Sequence, residues 1–597
     1  NMELNNGIIR KYEKVLEDFG INNSISEKRT NQIIRKSLHT FCMNHKNPAI
    51  WCFGKHTRML MADFMNEMKN IKFIIDSSME SIINTGFYII HPTEIEKNEI
   101  DGIIISSYLY KDEIKADLKR HHKTISYLDI YEKLQSEGIV LKSSYFSASH
   151  PYSRYQVLNE LQVLYQKSFS KESRIKYLKR IIENYVVIKD FQSAIKYTTI
   201  LSKITNSSRD KMLLENLKIL YELEKEQISK IDSENVLMLC IDGLRRQDLL
   251  GGKLPKLLSW IRRNGYFFEN AYSSSTSTYE SLMPVYSSNN DMRTEYYKKN
   301  LLSESECPFL NKAREQNRKI FFYTDTDLYI DCEEINGNGY SQTITEKMWD
   351  YMKDANGENN GLFYIHILYE SHYSYVNPYT EEPLIADGSN IMFDFLDVKG
   401  GKLRTDYVKQ QNDALHYIDD ILSPFLEQIT CRIVFYSDHG NILLNKADNL
   451  ESLDEQKYSC HKDLIEIPMV IKCPELLPQS DQRIISLMGL NDIICCLLEK
   501  KTYEYVERPY IKVQRSRIYN PDFQYLYKKY GKKRELQAFE LFIFFNGIHL
   551  IVYENGEWEI IRNEQNISID KDSLYQSIIQ DITVCNKTFK NQETFKE

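Results

Sequence analysis

Three apolar runs in this chain end on side chains that can hold a metal ion, and a fourth begins just after one. "NVLMLCIDG" ends on Asp242, "GLFYIHILYESH" on His372 and "CRIVFYSDHG" on Asp438 and His439, while His461 stands ahead of "IPMVIKCP". Each run is rich in β-branched and aromatic residues and reads as a buried strand. Ligands of an open parallel sheet bind beyond the carboxyl ends of its strands, so the five side chains are expected on one rim. Carboxylate oxygen and neutral imidazole suit Zn²⁺ or Mn²⁺, as one ion or two, and no cysteine spacing suggests a thiolate set. An Asp-His-Gly triplet alone reads as a turn with a capping acid; its company on successive strand ends turns the reading toward a metal.

A metal centre needs something to activate, and "AYSSSTSTYESLMPVYSS", residues 271–288, supplies hydroxyls. Thr276, Ser277 and Thr278 precede a segment that can open a helix, whose free N–H groups favour a phosphate or sulfate anion. An alkoxide held beside a divalent cation is an activated nucleophile. Alone, the run would read as a solvated loop.

These side chains must be carried by a sheet. From 235 onward the strand runs are separated by segments of helix length, which predicts an α/β domain over 231–505 with a mostly parallel sheet sandwiched by helices. Before it, 151–230 carries apolar residues at three- and four-residue spacing and reads as a helical, tetratricopeptide-like linker, a spacer or docking surface. Residues 1–150 alternate strand and helix in a Rossmann-like α/β pattern, as in "PAIWCFGKHTRMLMADFMNEMKNIKFIID". There Gly54 opens a turn and Asp76 lies about where a ribose-binding acid would be, a nucleotide signal weakened by its single glycine. Residues 506–597 read as a small antiparallel β subdomain with turns at Asn546-Gly547 and Asn555-Gly556.

The 597 residues are 42% hydrophobic and 27% charged with a formal charge of -8, which gives no reason to expect nucleic acid as a partner. No stretch of 18 or more apolar residues is present, and the start lacks a secretory signal, so a cytoplasmic protein is expected, without an integral membrane segment. Eleven cysteines without a CxxC pair fit reduced thiols.

The order of parts over about 235–505 is "LCIDG", "TSTYESLMP", "ESHYSYVNPY", the helix "YVKQQNDALHYIDDIL", "SDHG" and "CHKDLIEIP". It resembles the alkaline phosphatase superfamily, in its sulfatase-like branch with phosphoethanolamine transferases and lipoteichoic acid synthases. The resemblance implies that Asp242, Thr278, Asp438 and His439 surround one metal, with His372 and His461 at a second metal or at the substrate phosphate. It implies Thr278 as the group that carries the transferred moiety, since Ser281 follows at the spacing of the transferases; Thr276 is the alternative alignment. Sulfatases place Cys or Ser in a Cys/Ser-x-Pro-x-Arg motif where this chain has "TYESL", so sulfate ester hydrolysis is disfavoured. Asp242 is followed by Gly243 where many members carry a second metal-facing residue. The first 150 residues loosely resemble Rossmann-like modules of polysaccharide-biosynthesis enzymes.

The expectation is a metal-dependent phosphotransferase moving a phosphoethanolamine- or phosphoglycerol-type group from a phosphorylated lipid or nucleotide-linked donor to a glycan acceptor, with peripheral membrane contact open. A phosphodiesterase or phosphatase on the same site, and an inactive scaffold, are the rivals. Lys409, Asn412 and Tyr375 are candidate substrate contacts, whereas His366, mid-strand, and His416, on a helix, read as structural.

Overall fold

The structure, a computed structural model, describes residues 2–19, 24–53, 55–77, 87–107, 110–137, 151–291, 301–324, 330–336, 342–372, 375–381, 401–441, 462–515, 538–563 and 566–585. Gly54 and His461 lie outside the described residues.

Short apolar runs without polar alternation must be covered on both faces, and the first sheet is built from them. Its strands are β1 (Pro48–Trp51), β2 (Phe73–Ile75), β3 (Tyr88–Ile90), β4 (Gly102–Ile105) and β5 (Ser126–Asp129), all parallel in the order β3-β2-β1-β4-β5. That is a doubly wound order. Ile50 and Ile104 pack with α2 (Ser24–Asn44), α3 (Lys55–Phe64) and α5 (Ile130–Ser136); Trp51, Ile103 and Ile105 meet α4 (Lys111–His121) on the opposite face. The first helix, α1 (Met2–Phe19), instead joins the helical layer that follows. Its Tyr12 hydroxyl donates to the Val186 carbonyl at 3.1 Å and Lys11 reaches Asn216 at 2.8 Å.

That layer consists of α6 (Pro151–Lys167), α7 (Lys171–Val187), α8 (Phe191–Thr205) and α9 (Ser208–Ser229). Ser170 and Asp190 accept the free N–H groups of Ser173 and Ser193, which is why the turns fall where they do.

In β6 (Val236–Ile241) every residue is buried, and the two-residue period divides them between two cores. Leu237, Leu239 and Ile241 share a cluster with Trp260, Tyr351 and Ile418; Val236, Met238 and Cys240 share one with Leu282, Tyr286 and Ile493. The covering helices include α10 (Arg246–Leu250), α11 (Pro255–Asn264), α12 (Thr278–Ser287), α13 (Ile344–Ala355), α14 (Gly401–Gln428) and α15 (Leu490–Glu499). With β6, the strands β7 (Tyr266–Tyr272), β9 (Lys319–Tyr323), β11 (Gly361–Ile367), β12 (Arg432–Tyr436), β13 (Glu466–Lys472) and β14 (Gln479–Ser486) form a seven-stranded sheet, ordered β14-β7-β13-β12-β6-β11-β9. A two-residue ladder joins β8 (Leu302–Ser303) to β10 (Ile330–Asp331).

The large domain is thus α/β with a mostly parallel sheet between helices. One strand corrects the expectation that "IPMVIKCP" runs with the others: β13 is antiparallel to both β12 and β7. The chain leaves β12 at the rim where Asp438 lies and starts the neighbouring β13 from the same rim, so β13 must run back.

The last sheet is antiparallel, β15 (Tyr510–Arg515), β16 (Phe539–Phe544), β17 (Ile548–Tyr553) and β18 (Trp558–Asn563), with Gly547 and Gly556 at positive φ in the two hairpin turns. It packs against the large domain through Val513, Phe539 and Tyr553 around Tyr272 and Leu464. Among the described residues no helix is long and apolar enough to cross a membrane.

Candidate metal centre

Register brings the two acids together. Strands β6 and β12 pair in parallel with Tyr436 opposite Cys240, so two residues on, past both strand ends, Asp438 comes level with Asp242. The Asp242 N–H still bonds the Ile367 carbonyl of β11 at 3.0 Å, and Gly243 then turns the chain at φ +67°. A β-carbon on Gly243 would stand 2.2 Å from the Asn441 amide nitrogen. The turn lets the Gly243 N–H donate to Asp438 Oδ1 at 3.1 Å and the Leu244 N–H donate to Ser437 Oγ at 2.9 Å, lacing the two strand ends.

His439 is held by its neighbour. Its Nδ1 lies 2.6 Å from the Gly440 carbonyl oxygen, which can only accept, so Nδ1 carries the proton and Nε2 presents a lone pair. That Nε2 lies 3.1 Å from Thr278 Oγ1, 3.4 Å from Asp438 Oδ2 and 3.8 Å from Asp242 Oδ1.

Thr278 opens α12 and its hydroxyl donates to Asp242 Oδ2 at 3.0 Å. The preceding serines fasten the helix to the β12 end: Ser281 Oγ and Ser273 Oγ both donate to the Asp438 carbonyl, and Ser274 Oγ donates to the Ser281 carbonyl at 2.8 Å. In the "SSSTST" run Ser273, Ser274 and Ser275 are therefore buried framework, and Thr276, Ser277 and Thr278 are half-buried. Thr276 sits two residues upstream, in the bend before the helix.

Two buried oxygens, Asp242 Oδ1 and Asp438 Oδ2, have no hydrogen-bond partner. Both carboxylates are fully buried, and a ligand atom of each lies within 4.8 Å of the other and of one from His439. An unpartnered buried carboxylate oxygen is costly, and a pair of them beside an imidazole lone pair is a cation's donor set. The residues present fit Zn²⁺ or Mn²⁺. Burial pushes the Asp438 carboxyl up and the charge of Asp242 adds to the push. Burial acts the same way on Asp242, yet His372, the hydrogen bond from His366 and His439 together hold it well below the usual carboxylate range.

His372 lies across the centre. The turn it occupies is closed by its own N–H on the Leu368 carbonyl at 2.9 Å, and its Nε2 is 3.9 Å from Asp242 Oδ1. Its side chain is 33% exposed where the two acids are at 0%, so it faces the open side. Burial holds its imidazole below the ordinary histidine range, outweighing the pull of Asp242. Of the segment holding His461, the described part begins next door: Asp463 accepts from Arg245 Nη1 at 3.0 Å, and the Gly440 N–H donates to the Leu464 carbonyl at 2.8 Å.

His366 is a ligand-type residue that sequence reasoning set aside as core. It is fully buried, but its Nε2 donates to Asp242 Oδ2 at 3.2 Å. A titratable side chain one residue from the carboxyl end of a central parallel strand was the signal that could have found it. Arg245, which sequence reasoning did not single out, is buried just past the end of β6 between Asp248 and Asp463. His416 is exposed on α14, Lys409 is exposed and Tyr375 is buried. Asp76 lies apart, at the end of β2 in the first sheet, where its Oδ2 accepts the Phe53 N–H at 2.7 Å.

Close packing at Gly440 yields a prediction. A β-carbon there would stand 1.9 Å from the Asp463 carbonyl oxygen. Gly440→Ala is expected to destabilise the protein by about 3 kcal/mol or more, as severe overpacking does. The control Gly489→Ala, whose nearest neighbour is 3.6 Å away, should change little. Chemical denaturation of both variants checks this, and equal stabilities would count against the packing described.

Residues 234–499 match the family model described as Sulfatase, and residues 44–126 match one described as C2185-like, N-terminal. No curated protein matches the chain. Solved structures similar to it include the lipoteichoic acid synthase LtaP of Listeria monocytogenes, with 14% identity over 62% of this chain and 94% of that one and a TM-score of 0.37. The C-terminal periplasmic domain of EcEptC from Escherichia coli, in complex with Zn, has 15% identity over 44% and 81%, with a TM-score of 0.32. The phosphonate monoester hydrolase SpPMH of Silicibacter pomeroyi has 11% identity over 58% and 95%, with a TM-score of 0.43. Likenesses this slight assign no reaction. The family match covers every strand of the large sheet and each described candidate ligand of the rim, so over residues 234–499 the chain is similar to the sulfatase family.

Proposed function

We propose that the chain is a divalent-metal-dependent phosphotransferase that moves a phosphoethanolamine- or phosphoglycerol-type group, by way of Thr278, from a phosphorylated lipid or nucleotide-linked donor to a glycan acceptor. The observation that supports this reading is the Thr278 hydroxyl, 3.0 Å from Asp242 Oδ2 and 3.1 Å from His439 Nε2, beside two carboxylate oxygens without partners. Asp242, Asp438, His439 and Thr278 would hold the cation, with His372 and His461 at a second ion or at the substrate. When bound, a Zn²⁺ or Mn²⁺ ion supplies Lewis acidity, neutralising phosphoryl charge and lowering the pKa of the threonine hydroxyl.

The rest falls to the protein's own groups. Thr278 Oγ1 yields its proton toward Asp242 Oδ2 and attacks phosphorus, forming an Oγ–P bond as the P–O bond to the leaving group breaks. His372, on the open side, gives the departing oxygen a proton and takes one back from the acceptor hydroxyl that attacks the phosphothreonine. The acceptor leaves with the phosphoryl group, and Thr278 Oγ1 takes its proton back from Asp242 as the Oγ–P bond breaks. Threonine cannot become the formylglycine of sulfatases, which supports phosphoryl over sulfuryl transfer.

The test is an ester panel with metal-replete protein: bis-p-nitrophenyl phosphate, p-nitrophenyl phosphate and p-nitrophenyl sulfate, with and without an oligosaccharide acceptor. A burst of nitrophenol from the diester, a Thr278 peptide carrying the nitrophenylphosphoryl group in the mass spectrum and acceleration by the acceptor are expected. Steady turnover with water alone would make the enzyme a hydrolase. Turnover of the sulfate alone would overturn the reading, and failure to retain metal would leave a scaffold.

A further inference from the structure

The helical layer reaches into the turn that carries His372. Tyr155 of α6 is 1% exposed, and its hydroxyl donates to Glu370 Oε1 at 2.5 Å. One helical turn on, Asn159, also buried, donates through Nδ2 to the Asn377 carbonyl at 3.1 Å and to the Thr380 carbonyl. Glu370 Oε1 accepts a second bond at 2.9 Å from the Ile344 N–H at the head of α13, and Glu370 Oε2 has no hydrogen-bond partner. This fully buried carboxylate is thus held through one oxygen, and one of its two donors comes from the helical layer.

At Tyr375 the backbone is strained. Tyr375 has φ +42°, its N–H bonds the His372 carbonyl at 2.7 Å, and its own carbonyl accepts from Asn377 Nδ2 at 2.8 Å. A left-handed tyrosine is unfavourable and persists where its surroundings over-determine it. Here Asn377 grips Tyr375, Asn159 grips Asn377, and Tyr155 fixes Glu370 at the other end of the same turn.

Mere attachment of the layer does not require these groups, because α9 already packs against α13 and α14, with Leu217, Leu220 and Ile228 in the same apolar cluster as Trp349 and Ile418. Polar donors from one layer reach Glu370 before His372 and Asn377 after it, and these anchors set where the His372 ring stands relative to Asp242.

We propose that Tyr155 and Asn159 are positioning residues for His372, so that the helical layer is part of the active-site support rather than a spacer. The inference rests on the reading of His372 as the group that meets substrate. It predicts that loosening the turn lowers kcat with little change in KM, since a displacement of about 1 Å at a reacting group can reduce rate up to 100-fold.

The test uses the full chain with isotope-labelled histidine, the His372 imidazole signals being assigned by their loss in His372→Gln. Tyr155→Phe removes one hydroxyl, and Asn159→Ser removes the reach to both carbonyls. In each variant the His372 signals should shift while those of the exposed His416 stay in place, and kcat on bis-p-nitrophenyl phosphate should fall about 10- to 100-fold. Folded variants whose His372 signals match the wild type would overturn the proposal, whatever their activity. If the wild type turns over no ester, the functional reading fails but the spectra still decide the positioning. Should Tyr155→Phe not fold, Asn159→Ser carries the test alone.

Discussion

Thr278→Ala is expected to lose about 1,000-fold or more of the wild-type turnover, the scale on which removal of a covalent nucleophile acts. The fold should survive, because Thr278 is half-buried at the first turn of α12 and that helix is fastened by Ser273, Ser274 and Ser281. Asp242 Oδ2 keeps its bond from His366 in the variant. Thr278→Ser retains a hydroxyl at the same place and should keep activity within about 10-fold. The discriminating comparison is Thr276→Ala, expected to behave as wild type because Thr278, not Thr276, has its oxygen between Asp242 and His439. Initial rates of nitrophenol release at saturating diester and metal read all three. A Thr278→Ala protein with wild-type rates, or a Thr276→Ala protein without activity, would move the nucleophile elsewhere.

What was legible in the sequence follows from how each element is buried. Strands β6, β11 and β12 lie in the middle of the sheet with both faces covered, so their apolar runs stood out, and parallel register then brought Asp242 level with Asp438. Strand β7, which delivers the Thr278 loop, went unread because Glu269 and Asn270 interrupt its apolar run. There Gln482 of β14 donates to the Glu269 carboxylate and Arg246 donates to Asn270 Oδ1, so both polar side chains are satisfied by neighbouring elements. Edge strand β14, "QSDQRIIS", has one covered partner side and carries the polarity of an edge. The direction of β13 depends on which rim the connection leaves from, a tertiary fact without local signal. His366 was misjudged because an imidazole inside an apolar strand looks like packing until the partner strand supplies Asp242.

Support for the centre comes from both flanks of the large domain, which neither flank's sequence discloses. The last sheet reaches the loop before Thr278 through the Gln514 N–H, which donates to the Ser274 carbonyl at 2.9 Å, and the helical layer reaches Glu370 and Asn377, either side of His372, through Tyr155 and Asn159. Side chains that read as ordinary surface or core in their own segment thus acquire their role from the neighbour they meet.

Metal should raise the melting temperature of the wild type by several degrees, and Asp438→Asn should abolish that rise. Asp438 Oδ1 accepts the N–H groups of Gly243 at 3.1 Å and His439 at 2.9 Å, and an asparagine oxygen can keep both. Only the unpartnered Oδ2 is replaced, by an amide that cannot bind a cation and can donate toward Asp242. The chelated variant should therefore melt at or above the chelated wild type, since one of two buried like charges has gone. A ligand that binds only the folded state stabilises it by about 2.7 kcal/mol at a concentration 100 times its Kd, so added Zn²⁺ or Mn²⁺ should reverse the order of the two proteins. Calorimetry of each, stripped with chelator and then titrated with metal, gives four melting temperatures. Equal metal-induced shifts in wild type and Asp438→Asn would remove Asp438 from the ligand set, while a destabilised chelated variant would mean that its second oxygen has a structural partner after all.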